Sequence, residues 1–255
     1  MNVIYGPVHS WRLGRSLGID LLCREEKICS FNCIYCQLGE EGVKTRERAR
    51  YIEIQRLEDE LKRSKFEADV ITFSGMGEPT LASNLEEAIQ VVREYYNLPV
   101  AILTNSSLLS ELEVQHALNQ LDIVVAKLDA PNEELFQEIN RPVEGIEISD
   151  ILRALKHFRK QFSGKLALQI MFIDLNKQYA KEIAELALEI KPDEVQINTP
   201  LRRSKVKPLD SFEIKDIADK FTALGMNTIS VYNESGSKAL EVEKELRRGY
   251  RKGLK

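Results

Sequence analysis

The sequence predicts an α/β fold: a partial (β/α)6-type TIM barrel of parallel strands with a short C-terminal strand–helix extension. Three observations predict it. Short apolar runs rich in Val and Ile alternate with amphipathic stretches along the 255 residues. Several runs lack period-two alternation, as strands buried on both faces do. Several of them end in polar or glycine-rich residues, and the carboxyl ends of parallel barrel strands share the face that carries an active site. Strand–helix alternation implies parallel strands joined by right-handed crossovers. Six or seven such units make a partly or nearly closed barrel, and a flat doubly wound sheet is the other arrangement open to them.

Taken in order, residues 1–15 form an N-terminal lead-in, 16–200 the barrel core and 201–255 the extension of one domain. The strand runs are "SLGIDLL" (16–22), "DVITFS" (69–74), "PVAILTN" (99–105), "DIVVAKL" (122–128), "LALQIMFI" (166–173), "EVQINT" (194–199) and "TISVYN" (228–233). Between the second and third runs, Leu85, Ala88, Ile89, Val92 and Tyr96 make one apolar helical stripe. Ser83 and Glu86 form a capping-box pattern at its start. Ile183, Leu186, Ala187 and Ile190 repeat the stripe later. No linker or low-complexity tract interrupts the series.

Composition narrows the function classes. The chain is 43% hydrophobic and 30% charged, with net charge -4, an ordinary soluble balance that favours neither nucleic acid nor an anionic membrane. No apolar run approaches the ~20 residues of a membrane span. The start, "MNVIYGPVHSWRLGRS", lacks an apolar signal core, so a cytoplasmic location is expected. There thiols stay reduced, and clustered cysteines point to metal or redox chemistry rather than disulfides.

Three of the four cysteines, Cys29, Cys33 and Cys36, fall in "CSFNCIYC" with spacing C-x3-C-x2-C, after the first strand. Zinc takes four tetrahedral ligands, usually as C-x2-C pairs. No second pair exists here, and only Cys23, His9, His116 and His157 could complete such a site. An iron–sulfur cube has four irons, normally each held by a cysteine, so three clustered thiols leave one iron open. Cys23, in "DLLCREE", reads as a small buried apolar residue, and His116 and His157 as surface or packing residues.

The C-x3-C-x2-C motif, followed one βα unit later by "GMGEPT" (75–80), resembles the radical S-adenosylmethionine (radical SAM) superfamily, and the likeness covers nearly the whole chain. "YGPVHSWRLGRSLGID", "KLDAP", "FQEINRP" and "VQINTP" further resemble the branch that includes wybutosine-synthesis enzymes and their single-cluster relatives. That branch tends to read "PVPSRRLG" where this chain has "PVHSWRLG", so the resemblance assigns no role to His9 or Trp11.

The resemblance implies that Cys29, Cys33 and Cys36 hold three irons of a [4Fe–4S] cluster. The fourth would be chelated by the amino and carboxylate groups of S-adenosylmethionine, which an electron cleaves to methionine and a 5′-deoxyadenosyl radical. It implies an electron donor such as ferredoxin or flavodoxin. Tyr35 would lie beside the adenine. Gly75, Gly77 and Pro79 would shape the turn that receives the methionine ammonium at Glu78 or at neighbouring carbonyls. Thr104, Asn105, Lys127 and Asp129 end strands where the superfamily contacts ribose or carboxylate, and Gln169 and Asn198 join them if register allows. A second cluster would need about three further cysteines, so one cluster is expected, and tRNA is not favoured as partner. The loop "TPLRRSKVKP", with Arg202, Arg203, Lys205 and Lys207, together with Arg141 of "NRP", suggests an anionic substrate or a solvated basic loop. A non-catalytic iron–sulfur or zinc protein for electron transfer or scaffolding is the competing function; it accounts for the cysteines but not for "GMGEPT".

Overall fold

The computed structural model describes residues 1–63 and 66–232. Ten strands are present among them: β1 (Ile4–Ser10), β2 (Gly14–Ile19), β3 (Ile28–Cys29), β4 (Val43–Lys44), β5 (Val70–Phe73), β6 (Val100–Thr104), β7 (Ile123–Lys127), β8 (Lys165–Met171), β9 (Glu194–Asn198) and β10 (Thr228–Ser230). The helices are α1 (Ile54–Arg63), α2 (Leu85–Tyr95), α3 (Leu112–Leu118), α4 (Glu133–Asn140), α5 (Ile148–Gln161), α6 (Ala180–Ile190) and α7 (Ser211–Ala223). The main sheet runs β1-β2-β5-β6-β7-β8-β9-β10, parallel throughout except for the β1–β2 hairpin. β3 and β4 form a small parallel pair of their own.

Register explains why this sheet curls into a half-barrel with helices on one side. Aligned residues of neighbouring strands share a face. One face carries Ile71, Phe73, Ile102, Val124, Ala126, Leu168, Ile170, Val195 and Ile197, all fully buried in one core with the helix stripes. The other face carries Thr72, Lys127, Gln169 and Gln196, and its buried Ala101, Val125 and Ala167 stand outside that core. Consecutive helices pack side by side, α1 on α2, α2 on α3, α4 on α5, α5 on α6 and α6 on α7. A doubly wound sheet would instead divide its helices between two apolar faces. Among the described residues β1 and β10 remain unpaired edges, so the barrel is open.

Three local features differ from the sequence reading. The lead-in contains β1, antiparallel to β2 and bulged between Tyr5 and Val8; Gly6 and Pro7 interrupt the pattern that would have marked it as a strand. The capping box at Ser83 and Glu86 does not form. Asn84 caps α2, the Ser83 amide donates to the Ala49 carbonyl, and Glu86 instead accepts from Gln120 and pairs with His116. A true capping box occurs at α7, between Asp210 and Glu213. Of the C-terminal extension, residues 201–232 are described and include α7, and "TIS" at 228–230 pairs with β9 and continues the sheet; the stretch after Tyr232 lies outside the described residues.

Candidate metal and cofactor site

The loop after β2 carries the cysteines and is fastened at both ends. Its first residues are strapped to "GMGEPT": the Ile28 amide donates to the Met76 carbonyl and the Glu78 amide to the Ile28 carbonyl. A Cβ on Gly77 would stand 1.6 Å from the Ile28 oxygen, and φ is +152°, so only glycine allows this approach. Gly75 is equally constrained, because a Cβ there would meet the Asp20 carboxylate at 2.2 Å. Further along, the Asn32 and Ile34 amides donate to the carbonyls of Asn140 and Ile139, the last turn of α4. Buried Lys27 closes the loop, donating to Asn32 Oδ1 (2.6 Å) and the Gly39 carbonyl (2.5 Å). Phe31 meets Phe136 of α4 edge-on at 5.3 Å.

Cys29, Cys33 and Cys36 are free thiols on this loop. Burial pushes the Cys29 thiol up to about 12, with the nearby charges of Glu78, Cys33 and Cys36 adding to it. Cys33 is also raised, first by burial, while Lys127 and a bond from Asn140 oppose the shift. Three amides aim at sulfur: Phe31 N and Asn105 Nδ2 at Cys29 Sγ (3.4 and 3.5 Å), and Asn140 Nδ2 at Cys33 Sγ (3.4 Å). Cys23 lies apart, buried, its thiol donating to the Met1 carbonyl at 3.6 Å.

Glu78 is 2% exposed and accepts four bonds: from Thr80 N (3.1 Å), Thr80 Oγ1 (2.7 Å), Thr104 Oγ1 (2.7 Å) and Asn105 N (2.6 Å). Burial raises its carboxyl and the donors pull it back. Glu78 therefore ties the end of β5 to the end of β6. Pro79 begins the single 3-10 turn that follows. Asp129, beyond β7, is also buried. It accepts from the Tyr35 hydroxyl, from Asn140 Nδ2 (2.8 Å) and from Met171 N (2.8 Å), and Lys127 Nζ stands 3.7 Å away. Lys127 also lies over the Tyr35 ring, 5.2 Å from its centroid. Burial first, then the Asp129 charge, holds the Tyr35 hydroxyl well above its ordinary range.

Register settles where the strand residues point. Gln169 aligns with Lys127 and Gln196 on the inner face, and Asn198 aligns with Met171 there. The basic loop after β9 rests on the cysteine loop: Arg202 donates to Gln37 Oε1 (2.8 Å), and Lys205 (2.7 Å) and Arg141 (3.3 Å) both pair with Glu40. Lys205 first, then Arg141, holds the Glu40 carboxyl below its usual range. Arg203 is exposed. Sequence reasoning missed Asn140, Ser30 and Ser107. Asn140 links Cys33 to Asp129, and Ser30 joins Asn105 (2.8 Å) and Ser107 (2.6 Å). An Asn closing a helix before Arg-Pro reads as a terminator, which hid its second use.

The donor set fits an iron–sulfur cluster. Three thiols share one loop, amides point at two of the sulfurs, and glycine carries the backbone beneath them. Among the described residues no group of three His, Cys, Asp or Glu is placed to hold a single metal ion. A cube bound through one iron per thiol needs no such convergence.

Comparison with known proteins agrees. The model of the radical SAM superfamily matches residues 27–187. UPF0026 protein slr1464 of Synechocystis is 42% identical over 201 residues, 78% of this chain and 76% of that protein. UPF0026 protein MJ1312 of Methanocaldococcus jannaschii is 35% identical over 79% of this chain and 64% of its own length. The crystal structure of Streptococcus suis SuiB bound to S-adenosylmethionine superposes with TM-score 0.62 at 16% identity, over 80% of this chain and 48% of that one, so this chain spans about half of SuiB.

Proposed function

For this chain, which belongs to the radical SAM superfamily and is an enzyme of that class, we propose that Cys29, Cys33 and Cys36 hold a [4Fe–4S] cluster and that S-adenosylmethionine binds its open iron. When bound, the cluster and S-adenosylmethionine would supply one-electron reductive cleavage and the hydrogen-abstraction chemistry that follows from it. The observation that carries this reading is the strap between the cysteine loop and "GMGEPT", which brings the two motifs into one site through the Ile28–Gly77 contact.

The chain's own residues then have distinct tasks. Phe31 N, Asn105 and Asn140 stabilise charge on the ligand sulfurs by donating to them. Glu78 fixes Thr104 and Asn105 in place, so its contribution to cofactor binding is through loop position. The carbonyls of the 75–79 turn would take the methionine ammonium, Lys127 the carboxylate, and Tyr35 would present its ring to the adenine, held by Asp129. Gln169 and Asn198 line the same inner face for ribose or substrate. Arg141 and Arg202, which contact the cysteine loop, and exposed Arg203 suit an anionic substrate.

The superfamily requires a reductant; ferredoxin or flavodoxin is the proposed donor. No helix among the described residues is long and apolar enough to cross a membrane, and the cytoplasm is the proposed location. With only Cys23 in reserve, we assign one cluster per chain and no tricyclic-base synthesis on tRNA. Anaerobic reconstitution tests the assignment: about four irons per chain are expected, with a cluster EPR signal that changes when S-adenosylmethionine is added. Stoichiometric zinc, or a signal indifferent to S-adenosylmethionine, would support an electron-transfer or scaffold protein instead.

A further inference from the structure

Arg12 lies in the turn between β1 and β2, and its Nε and Nη1 are buried with no hydrogen-bond partner. The guanidinium stands 5.0 Å from the Trp11 ring centroid, a contact that orients it without satisfying its N–H groups. No carboxylate pairs with it among the described ion pairs. Burial first, then the charge of Arg202, pulls it down to about 10. Arg202 in turn donates to Gln37, the residue after Cys36.

A guanidinium with two buried N–H donors unmet is costly unless an anion completes it. We propose that Arg12, oriented by Trp11, forms an oxyanion-binding site, which holds a carboxylate or phosphoryl group of the substrate. The fork of a guanidinium suits either oxyanion bidentately. Calling the ligand a substrate group rests on the radical SAM reading above; the site itself rests on Arg12. Arg141, Lys205 and Arg202 each have a partner on the cysteine loop, whereas nothing in the described chain meets the buried nitrogens of Arg12.

The test uses reconstituted holoprotein with S-adenosylmethionine, titrated calorimetrically at constant ionic strength with inorganic phosphate and, separately, succinate. At least one should bind saturably to wild type and about tenfold or more weaker to Arg12→Met. Phosphate alone would assign a phosphoryl group, succinate alone a carboxylate. In anion-free buffer Arg12→Met should melt no lower than wild type, since it removes an unpaired buried charge. Arg12→Lys, which keeps charge but loses the fork, should also bind weakly and stands in if Arg12→Met does not fold. Saturable binding by neither anion, or equal binding by wild type and variants, would overturn the site, as would an Arg12→Met that melts far below wild type while binding anions normally. Formation of 5′-deoxyadenosine by wild type is scored independently. Cleavage without anion binding leaves the function standing and removes the site; anion binding without cleavage keeps the site and removes its reading as a substrate site.

Discussion

Two regions of the molecule treat buried charge in opposite ways. At the ends of β5, β6 and β7, Glu78 and Asp129 are buried with acceptor oxygens met by donors from the chain itself. At the β1–β2 turn, Arg12 is a guanidinium with two buried nitrogens that meet nothing. A charge whose bonds close within the chain is framework; the open bonds of Arg12 are the ground for the anion site proposed above. The sequence motif "GMGEPT" draws attention to Glu78 as a cofactor contact; in the fold its two oxygens accept bonds from Thr80, Thr104 and Asn105.

The largest effect should come from the thiols; at Cys29 and Cys33 burial disfavours the free thiolate until metal binds. Cys29→Ala, Cys33→Ala and Cys36→Ala should each lose the reconstituted cluster and all S-adenosylmethionine cleavage, while Cys23→Ala keeps both. Iron analysis of the four variants checks this, and a Cys23→Ala protein without cluster would break the ligand assignment.

Next in size is the effect at Glu78. Glu78→Ala leaves buried donors without an acceptor, each costing about 1–3 kcal/mol, so its urea midpoint should fall well below wild type. We expect iron to be retained and S-adenosylmethionine affinity to drop roughly ten- to a hundredfold. Unchanged affinity by calorimetry would remove Glu78 from the site altogether. Tyr35→Phe deletes one of the Asp129 bonds and keeps the ring; it should cost about 1–3 kcal/mol in stability with a smaller loss of cofactor affinity than Glu78→Ala. A larger loss than Glu78→Ala would show that the hydroxyl, not the ring, serves the cofactor.

The smallest effect should be at Glu40, exposed and shared by Arg141 and Lys205. Exposed pairs contribute little. Glu40→Ala should barely move the melting midpoint at moderate salt, and a marked drop would mean that the loop after β9 is fastened more strongly than these pairs allow.

Much of this could be read from residues alone, for physical reasons. The parallel strands announced themselves because burial on both faces or at the core face demands runs such as "DIVVAKL". The cysteines stood out because the chain uses so few. What stayed hidden depends on partners distant in sequence. β1 carries a Gly-Pro interruption and pairs through a bulge. Ser83 and Glu86 matched a local capping pattern, but Ala49, His116 and Gln120 offered them other bonds. Asn140 looks like a helix terminator until the fold sets it between Cys33 and Asp129. Arg12, in "SWRLG", reads like any loop arginine until the fold buries two of its nitrogens without partners.

The central claim is that three thiols leave one iron open for S-adenosylmethionine. Its most direct test is mass-spectrometric measurement of 5′-deoxyadenosine after reconstituted protein is reduced with dithionite in the presence of S-adenosylmethionine. The account predicts 5′-deoxyadenosine and methionine in equal amounts, formed only when Cys29, Cys33 and Cys36 are all present. A fully loaded iron–sulfur protein that forms neither product would contradict it.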